Sequence, residues 1–175
     1  FSKTMIEQIE SLSNIASEFS DFAKLPKTND ERVDLVQIIE NIVDLYRESK
    51  QNINFIKPEQ LKCDILADKT QIIRIFNNLI KNSVQAVCSV EKGTIEIGIK
   101  KEEKQYIIEI KDNGVGISNE QKEKIFSPNF TTKTGGMGLG LAMVRNIVEN
   151  YKGKIWFESE AGIGTTFFVK LPAID

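Results

Sequence analysis

Two glycine-rich motifs, set in a fixed order, most constrain how this chain can fold. The first motif, Asp112-Asn113-Gly114-Val115-Gly116, directly follows a β-rich run over residues 106–111. The second motif, Gly136-Met137-Gly138-Leu139-Gly140, leads into an apolar run over residues 141–148. We therefore expect a strand that ends at a tight turn, followed by a glycine-rich loop that opens a helix.

The two motifs have the chemistry of a nucleotide pocket. Asp112 is expected at the strand end, with its side chain free to accept a hydrogen bond. Gly114 and Gly116 permit a sharp turn and the approach of a flat ring. Alternating glycines before a helix direct backbone N–H groups and the positive end of the helix at one spot, which suits a phosphate. Either motif alone is weak evidence, because turns use glycine widely.

Flanking segments complete the pattern. Residues 72–87 have apolar residues at helical spacing, and Asn78, Asn82 and Ala86 share one face of that helix. A segment over residues 125–133 lies between the glycine motifs, and Gly164-Thr165-Thr166-Phe167 comes near the C-terminus. This four-part order resembles the ATP-binding domain of sensor histidine kinases. The wider superfamily includes type II topoisomerases, ninety-kilodalton heat-shock chaperones and MutL-type repair proteins.

The resemblance covers roughly residues 33–172 and implies a Bergerat-type ATP fold. That fold is an α+β, two-layer sandwich in which helices cover one face of a mixed, mainly antiparallel sheet. The residue pattern predicts the same layers, preceded by an N-terminal helix. The predicted helices include one from residues 33–35 through about Ser49, with a buried stripe that includes Leu45, one capped by Asp68, and a short one from Ser118 or Asn119 through Ile125. The predicted strands are 53–56, 63–66, the hairpin of 94–100 and 105–111, and the pair 154–159 and 165–171.

The resemblance also implies roles for individual residues. Asp112 would accept a hydrogen bond from the adenine amine and repel the guanine carbonyl, and the hydroxyl of Thr165 would support it. Asn82 would bind Mg²⁺, a hard cation that prefers oxygen ligands. Asn78 stands where ATP-hydrolysing relatives have a glutamate that activates water, and an amide is not basic. The sequence therefore predicts that ATP is held for an external nucleophile.

Residues 126–138 resemble the ATP lid of the family, with Phe126 and Phe130 pinning its ends. For Lys133 a solvated lysine is an equal alternative, and for Gly140 the alternative is a role in close helix packing alone. The predicted ATP contacts are Asn78, Asn82, Asp112, Gly114, Gly116, Phe130, Thr131, Thr132, Lys133, Gly136, Gly138, Leu139, Gly140 and Thr165.

The chain contains no histidine, so the phosphoacceptor of a histidine kinase is absent from it. Residues 1–26 have apolar residues at helical spacing and end at Leu25-Pro26, as in the second helix of a dimerisation and phosphoacceptor hairpin. An ordinary surface helix is the alternative. The segment from Glu18 to Pro26 is most similar to nitrogen-regulation-type kinases. We expect residues 27–32 to be a linker and residues 33–175 to be the ATP-binding domain.

The composition of the chain limits which partners and which cellular compartment are expected. A net charge of -2 gives no reason to propose nucleic acid as a partner. Cys63 and Cys88 lack C-x-x-C spacing and are expected to be free thiols in a reducing compartment, which favours the cytoplasm. The full-length protein is expected to be anchored in the inner membrane if a segment outside this chain supplies the anchor.

Three functions remain open. The first is the catalytic part of a sensor histidine kinase, which binds Mg²⁺ and ATP and phosphorylates a histidine on the hairpin of the same, dimeric protein. A response regulator aspartate would then receive the phosphate. The second is a superfamily ATPase or conformational clamp, which Asn78 and the lack of a following transducer domain disfavour. The third is a nucleotide-binding module without catalysis.

Overall fold

The computed structural model of this protein describes residues 28–46, 52–59, 62–131 and 138–174. The predicted helix over residues 1–26 lies outside the described residues, and the domain boundaries remain a prediction. In chain order the elements are β1 (Glu31–Asp34), α1 (Leu35–Leu45), β2 (Asn52–Ile56), β3 (Asp64–Ala67), α2 (Lys69–Val87), β4 (Thr94–Glu102), β5 (Gln105–Asp112), α3 (Asn119–Lys122), α4 (Gly140–Asn150), β6 (Lys154–Glu160) and β7 (Gly164–Pro172).

The main sheet has five strands in the order β2-β4-β5-β7-β6. β2 pairs with β4 in parallel, whereas the β4–β5, β5–β7 and β6–β7 pairs are antiparallel. The predicted mixed, mainly antiparallel sheet is therefore confirmed, and so is the predicted hairpin of β4 and β5.

Helices cover one face of this sheet, as predicted. Along β4 and β5 every second side chain is buried, because successive side chains of a strand point to opposite faces. The apolar stripe of α2 packs into the same core. Its fully buried members are Ile72, Ile75, Phe76, Leu79 and Ile80. No helix within the described ranges has both the length and the hydropathy to cross a membrane.

The start of α2 is fixed by a side-chain cap. Asp68 accepts hydrogen bonds from the backbone N–H groups of Thr70 at 2.8 Å and Gln71 at 3.3 Å. These contacts satisfy two of the N–H groups that a helix leaves unpaired at its first turn. The predicted cap is confirmed. It fixes the start of α2, the helix that carries Asn78 and Asn82.

The structure differs from the sequence predictions at three places. Glu31 and Arg32, predicted to be linker, belong to β1, which pairs with β3 in a separate two-stranded sheet. α1 ends at Leu45, and Leu45 is 78% exposed, so its place in the buried stripe was wrong. α3 ends at Lys122 and does not reach Ile125.

Candidate nucleotide site

Asp112 is the last residue of β5, as the sequence predicted. Its neighbours in register are Ile95 of β4 and Thr165 of β7. The residue is only 5% exposed and lies between the sheet and α2, where Ser83 contacts it. Asp112 is thus a carboxylate in the interior of the fold, which requires hydrogen-bond donors around it.

Three donors surround the carboxylate. Oδ1 accepts from the backbone N–H of Gly114 at 3.0 Å and from that of Thr165 at 3.3 Å. Oδ2 accepts from the hydroxyl of Ser83 at 3.0 Å. The expectation of a side chain free to accept was therefore wrong for Oδ1, which two backbone groups already occupy. An ionised carboxylate has about four lone-pair positions, so Oδ2 retains capacity for one more donor.

Opposing effects act on the ionisation of Asp112. Burial raises the pKa of this carboxyl, because a charge is costly away from water. The hydrogen bonds from Gly114, Ser83 and Thr165 favour the charged form and reduce the rise in its pKa without cancelling it. The three donors thus make an ionised Asp112 tolerable at a buried position.

The turn after Asp112 is packed tightly against its neighbours. A Cβ on Gly114 would lie 2.7 Å from Ala86 of α2, and Val115 donates its N–H to the carbonyl of Ala86 at 3.2 Å. Gly116 has a φ of 68°, and a Cβ there would lie 2.0 Å from the carbonyl oxygen of Glu160. These two glycines therefore permit close approach between chain segments at the sharp turn, and the approach of a flat ring to them stays a prediction.

Thr165 supports Asp112 through its backbone and not through its hydroxyl. The hydroxyl lies 2.9 Å from the hydroxyl of Ser159. Ser159 accepts from the N–H of Ile117 and donates its single proton to the carbonyl of Gly164. Because the Ser159 proton is used there, the Thr165 hydroxyl must be the donor to Ser159. The predicted role of that hydroxyl is thus corrected.

Asn78 lies beneath the start of α4. Its side-chain N–H donates to the carbonyl of Arg74 at 2.9 Å. Its Oδ1 would lie 2.7 Å from a Cβ on Gly140, the first residue of α4. The close-packing interpretation of Gly140 is therefore supported. Leu139 is the N-cap of α4 and makes no side-chain capping bond, so the first turn of this helix is suited to an anion.

The two described ends of the predicted lid meet. Gly138 has a φ of 67°, and a Cβ there would lie between 2.4 and 2.6 Å from backbone atoms of Phe130. Phe130 and Phe126 pack against the core. The ring of Phe126 makes an edge contact with the ring of Phe157, with 5.9 Å between the ring centroids. Both aromatic residues thus anchor the described start of this segment to the core, and its far end at Gly138 lies against the backbone of Phe130. Of the predicted phosphate contacts, Thr132, Lys133 and Gly136 lie outside the described residues, and Thr131 is exposed.

Asn82 follows Asn78 by one turn of α2 and is half-buried. Its amide oxygen is a ligand type that Mg²⁺ accepts, and Mg²⁺ otherwise retains water and binds phosphate oxygens. Within the described ranges no group of three His, Cys, Asp or Glu side chains is placed to hold a metal. The amide oxygen of Asn82 thus fits a Mg²⁺ ion, and its binding of that ion stays a prediction.

Comparison with known proteins agrees with this geometry. Residues 67–175 match the family described as histidine kinase-, DNA gyrase B- and HSP90-like ATPases. The chain belongs to this ATPase family. Within the family, the sensor histidine kinase ZraS of Salmonella typhimurium is 34% identical over 98% of this chain and 37% of its own length. A putative NtrY-like sensor histidine kinase of Rickettsia bellii is 34% identical over 86% of this chain and 25% of its own length. This chain thus spans well under half of these relatives.

Solved structures of histidine kinases resemble this chain. The catalytic domain of histidine kinase ThkA is 32% identical, with a TM-score of 0.73 over 82% of this chain and 95% of that domain. ThkA in complex with response regulator protein TrrA gives a TM-score of 0.78 at 27% identity, over 98% of this chain and 50% of that chain. The resemblance to sensor histidine kinases, including nitrogen-regulation-type members, is confirmed.

Two residues of the candidate site were missed from the sequence. Ser83 interrupts the apolar stripe of α2, and a polar residue in such a stripe indicates a buried partner. Asn113 bridges the carbonyl of Lys92 at 2.8 Å and the N–H of Thr94 at 2.7 Å, so it ties the turn after Asp112 to the start of β4. No sequence pattern indicates these two hydrogen bonds of Asn113.

Proposed function

We propose that this chain is the catalytic, ATP-binding part of a two-component sensor histidine kinase. It binds Mg²⁺ and ATP and donates the γ-phosphate to a histidine outside this chain, on the hairpin of the same protein. A response regulator aspartate then receives the phosphate. The names of the relatives support this proposal, and so does the complex of ThkA with response regulator protein TrrA. The full-length protein acts as a homodimer with its catalytic part in the cytoplasm.

The observation that carries this proposal is the environment of Asp112. A buried carboxylate surrounded by donors, with acceptor capacity left on Oδ2, is suited to a ligand that donates an N–H group. The amine of adenine does so, whereas guanine presents a carbonyl oxygen at the same position. Asp112 therefore selects ATP over GTP.

Catalysis then consists mainly of positioning. The first turn of α4 accepts the phosphates, and Asn82 would hold Mg²⁺, which would supply neutralisation of the charge on the phosphate oxygens. Asn78 lies against Gly140, beside the place where the phosphates would bind. Because an amide is not a base, it does not activate water, and ATP is retained until the histidine attacks.

Nucleotide binding measured by calorimetry tests this assignment. In the presence of Mg²⁺ the chain is expected to bind ATP and ADP and to discriminate against GTP by about tenfold or more, since a buried unpaired polar group costs about 1 to 3 kcal/mol. Asp112→Ala removes the discrimination. Glu102→Ala, which removes an exposed carboxylate at the opposite end of β4, leaves it intact. Equal affinity of the wild-type chain for ATP and GTP contradicts the proposal.

A further inference from the structure

Ser83 is a buried hydroxyl within an apolar stripe. It is 1% exposed, and the stripe of α2 on either side of it consists of Leu79, Ile80 and Val87. Its hydroxyl donates to Oδ2 of Asp112 at 3.0 Å, and both residues are buried. A polar side chain at such a position is costly unless it is satisfied, and here Asp112 satisfies it.

The two oxygens of Asp112 are held by different kinds of donor. Oδ1 receives two backbone N–H groups, from Gly114 and Thr165, which occupy its two lone-pair positions. Among the residues that the structure describes, Oδ2 receives one donor, and that donor is the side chain of Ser83. Ser83 therefore determines which of the lone-pair positions on Oδ2 remains for a ligand.

The hydroxyl of Ser83 also has a fixed polarity. A serine hydroxyl has one proton and two lone pairs, and its proton is used on Asp112. Any further partner of the hydroxyl must therefore be a donor. Asp112 and Ser83 together present acceptors, which suits an amine and disfavours a carbonyl.

We propose that Ser83 is a positioning residue for base recognition, because its hydroxyl orients the Asp112 carboxylate so that the remaining lone pair of Oδ2 meets the exocyclic amine of adenine. This inference rests on the proposed function, since it assumes that Asp112 contacts the base. It goes beyond that function by assigning part of the selectivity for adenine to a residue of α2.

The test compares ATP with inosine triphosphate, which has a carbonyl in place of the adenine amine. Calorimetry in Mg²⁺ gives both dissociation constants for the wild-type chain, Ser83→Ala, Ser83→Thr and Ser83→Cys. Ser83→Ala is expected to weaken ATP binding by about fivefold to tenfold, the scale of one lost hydrogen bond, and inosine triphosphate binding by clearly less. The preference for ATP thus falls by about threefold or more.

The other variants separate positioning from folding. Ser83→Thr keeps the hydroxyl and is expected to retain the wild-type preference even if the added methyl group lowers Tm. Should the threonine variant not fold, Ser83→Cys, a weaker donor of similar size, is expected to give an intermediate preference. Ser159→Ala removes a hydroxyl that contacts Thr165 but not Asp112, and it is expected to lower Tm without changing the preference.

The outcomes decide between the claims. Equal weakening of both nucleotides by Ser83→Ala, or an unchanged preference at an unchanged Tm, overturns the role of Ser83 while the proposed function stands. A wild-type chain that does not prefer ATP overturns the proposed function, and the inference with it.

Discussion

The hydroxyl of Tyr151 joins the end of α4 to the start of α2, because it accepts a hydrogen bond from the backbone N–H of Asp68 at 2.9 Å. The same hydroxyl donates to the carboxylate of Asp30 at 3.2 Å. Asp68 in turn accepts from the N–H of Asn29 at 3.1 Å. Tyr151 and Asp68 thus connect the segment that precedes β1 to both helices of the nucleotide site.

Tyr151→Phe is expected to destabilise the fold by about 1 kcal/mol, the usual net value of one hydrogen bond, because it leaves the N–H of Asp68 without this acceptor. Nucleotide affinity should change little, since Tyr151 does not contact Asp112 or Asn82. Chemical unfolding measures the first effect and calorimetry the second. Asp30→Ala, which removes only the exposed acceptor, should destabilise the fold less than Tyr151→Phe does. A larger loss for Asp30→Ala than for Tyr151→Phe would show that this order is wrong.

The sequence predicted most of the strands because their signals are local. Alternation of apolar residues located β4, β5, β6 and β7 to within one or two residues. β1 was missed because four residues with a single buried side chain, Val33, form a strand only when β3 is present as a partner. Leu45 was misplaced because periodicity treats every helical turn alike, whereas burial needs a neighbouring element.

For the candidate site, too, local features could be predicted from the sequence and contacts between distant residues could not. The position of Asp112 at a strand end could be predicted from the strand and glycines around it. Two of the three donors to Asp112 come from residues 29 and 53 positions away, Ser83 and Thr165, and no local pattern gives such contacts. The role of the Thr165 hydroxyl was wrong because Ser159, which lies across the β6–β7 pair, competes for it.

Gly138→Ala is expected to weaken ATP binding by more than backbone strain at this residue alone would cause. At this φ alanine is strained by about 1 to 2 kcal/mol, and the new Cβ also collides with the backbone of Phe130. The collision displaces the entry to α4, so ATP affinity should fall by about tenfold.

Gly162→Ala is the matched control. Gly162 has a φ of 81°, but a Cβ there has no neighbour within 4 Å. This variant should lose stability through backbone strain alone and keep wild-type ATP affinity in calorimetry. If both variants weaken ATP binding equally, the contact between Gly138 and Phe130 is not what matters.

Asn82→Ala should weaken nucleotide binding only when the metal is present. Loss of one ligand to Mg²⁺ is expected to reduce ATP affinity by about tenfold in Mg²⁺ and hardly at all in excess chelator. Asn77→Ala, at an exposed position of the same helix, serves as the control and should bind ATP normally. An equal loss with and without Mg²⁺ would place Asn82 on the nucleotide and not on the metal.

Asp112→Asn should become more stable relative to the wild-type chain as pH rises. Burial raises the pKa of Asp112 in the folded state, so the folded chain binds this proton more tightly than the unfolded chain. Ionisation therefore lowers the free energy of unfolding as pH rises through the interval between the two pKa values. Asparagine avoids that loss while its Oδ1 still accepts from Gly114 and Thr165.

Thermal unfolding of both proteins across a pH series measures this difference. The Tm of Asp112→Asn minus that of the wild-type chain should increase with pH and then reach a plateau. A difference that decreases with rising pH would mean that the three donors outweigh burial.

Transfer of labelled phosphate to histidine tests the central claim most directly. The chain is mixed with γ-labelled ATP, Mg²⁺ and the separate histidine-bearing hairpin of the same protein, with an alanine-substituted hairpin and Asp112→Ala as controls. We expect acid-labile label on the intact hairpin alone, and only slow release of free phosphate by the chain by itself. Rapid ATP hydrolysis without the hairpin, or ATP binding with no label on the histidine, would contradict the assignment as the catalytic part of a histidine kinase.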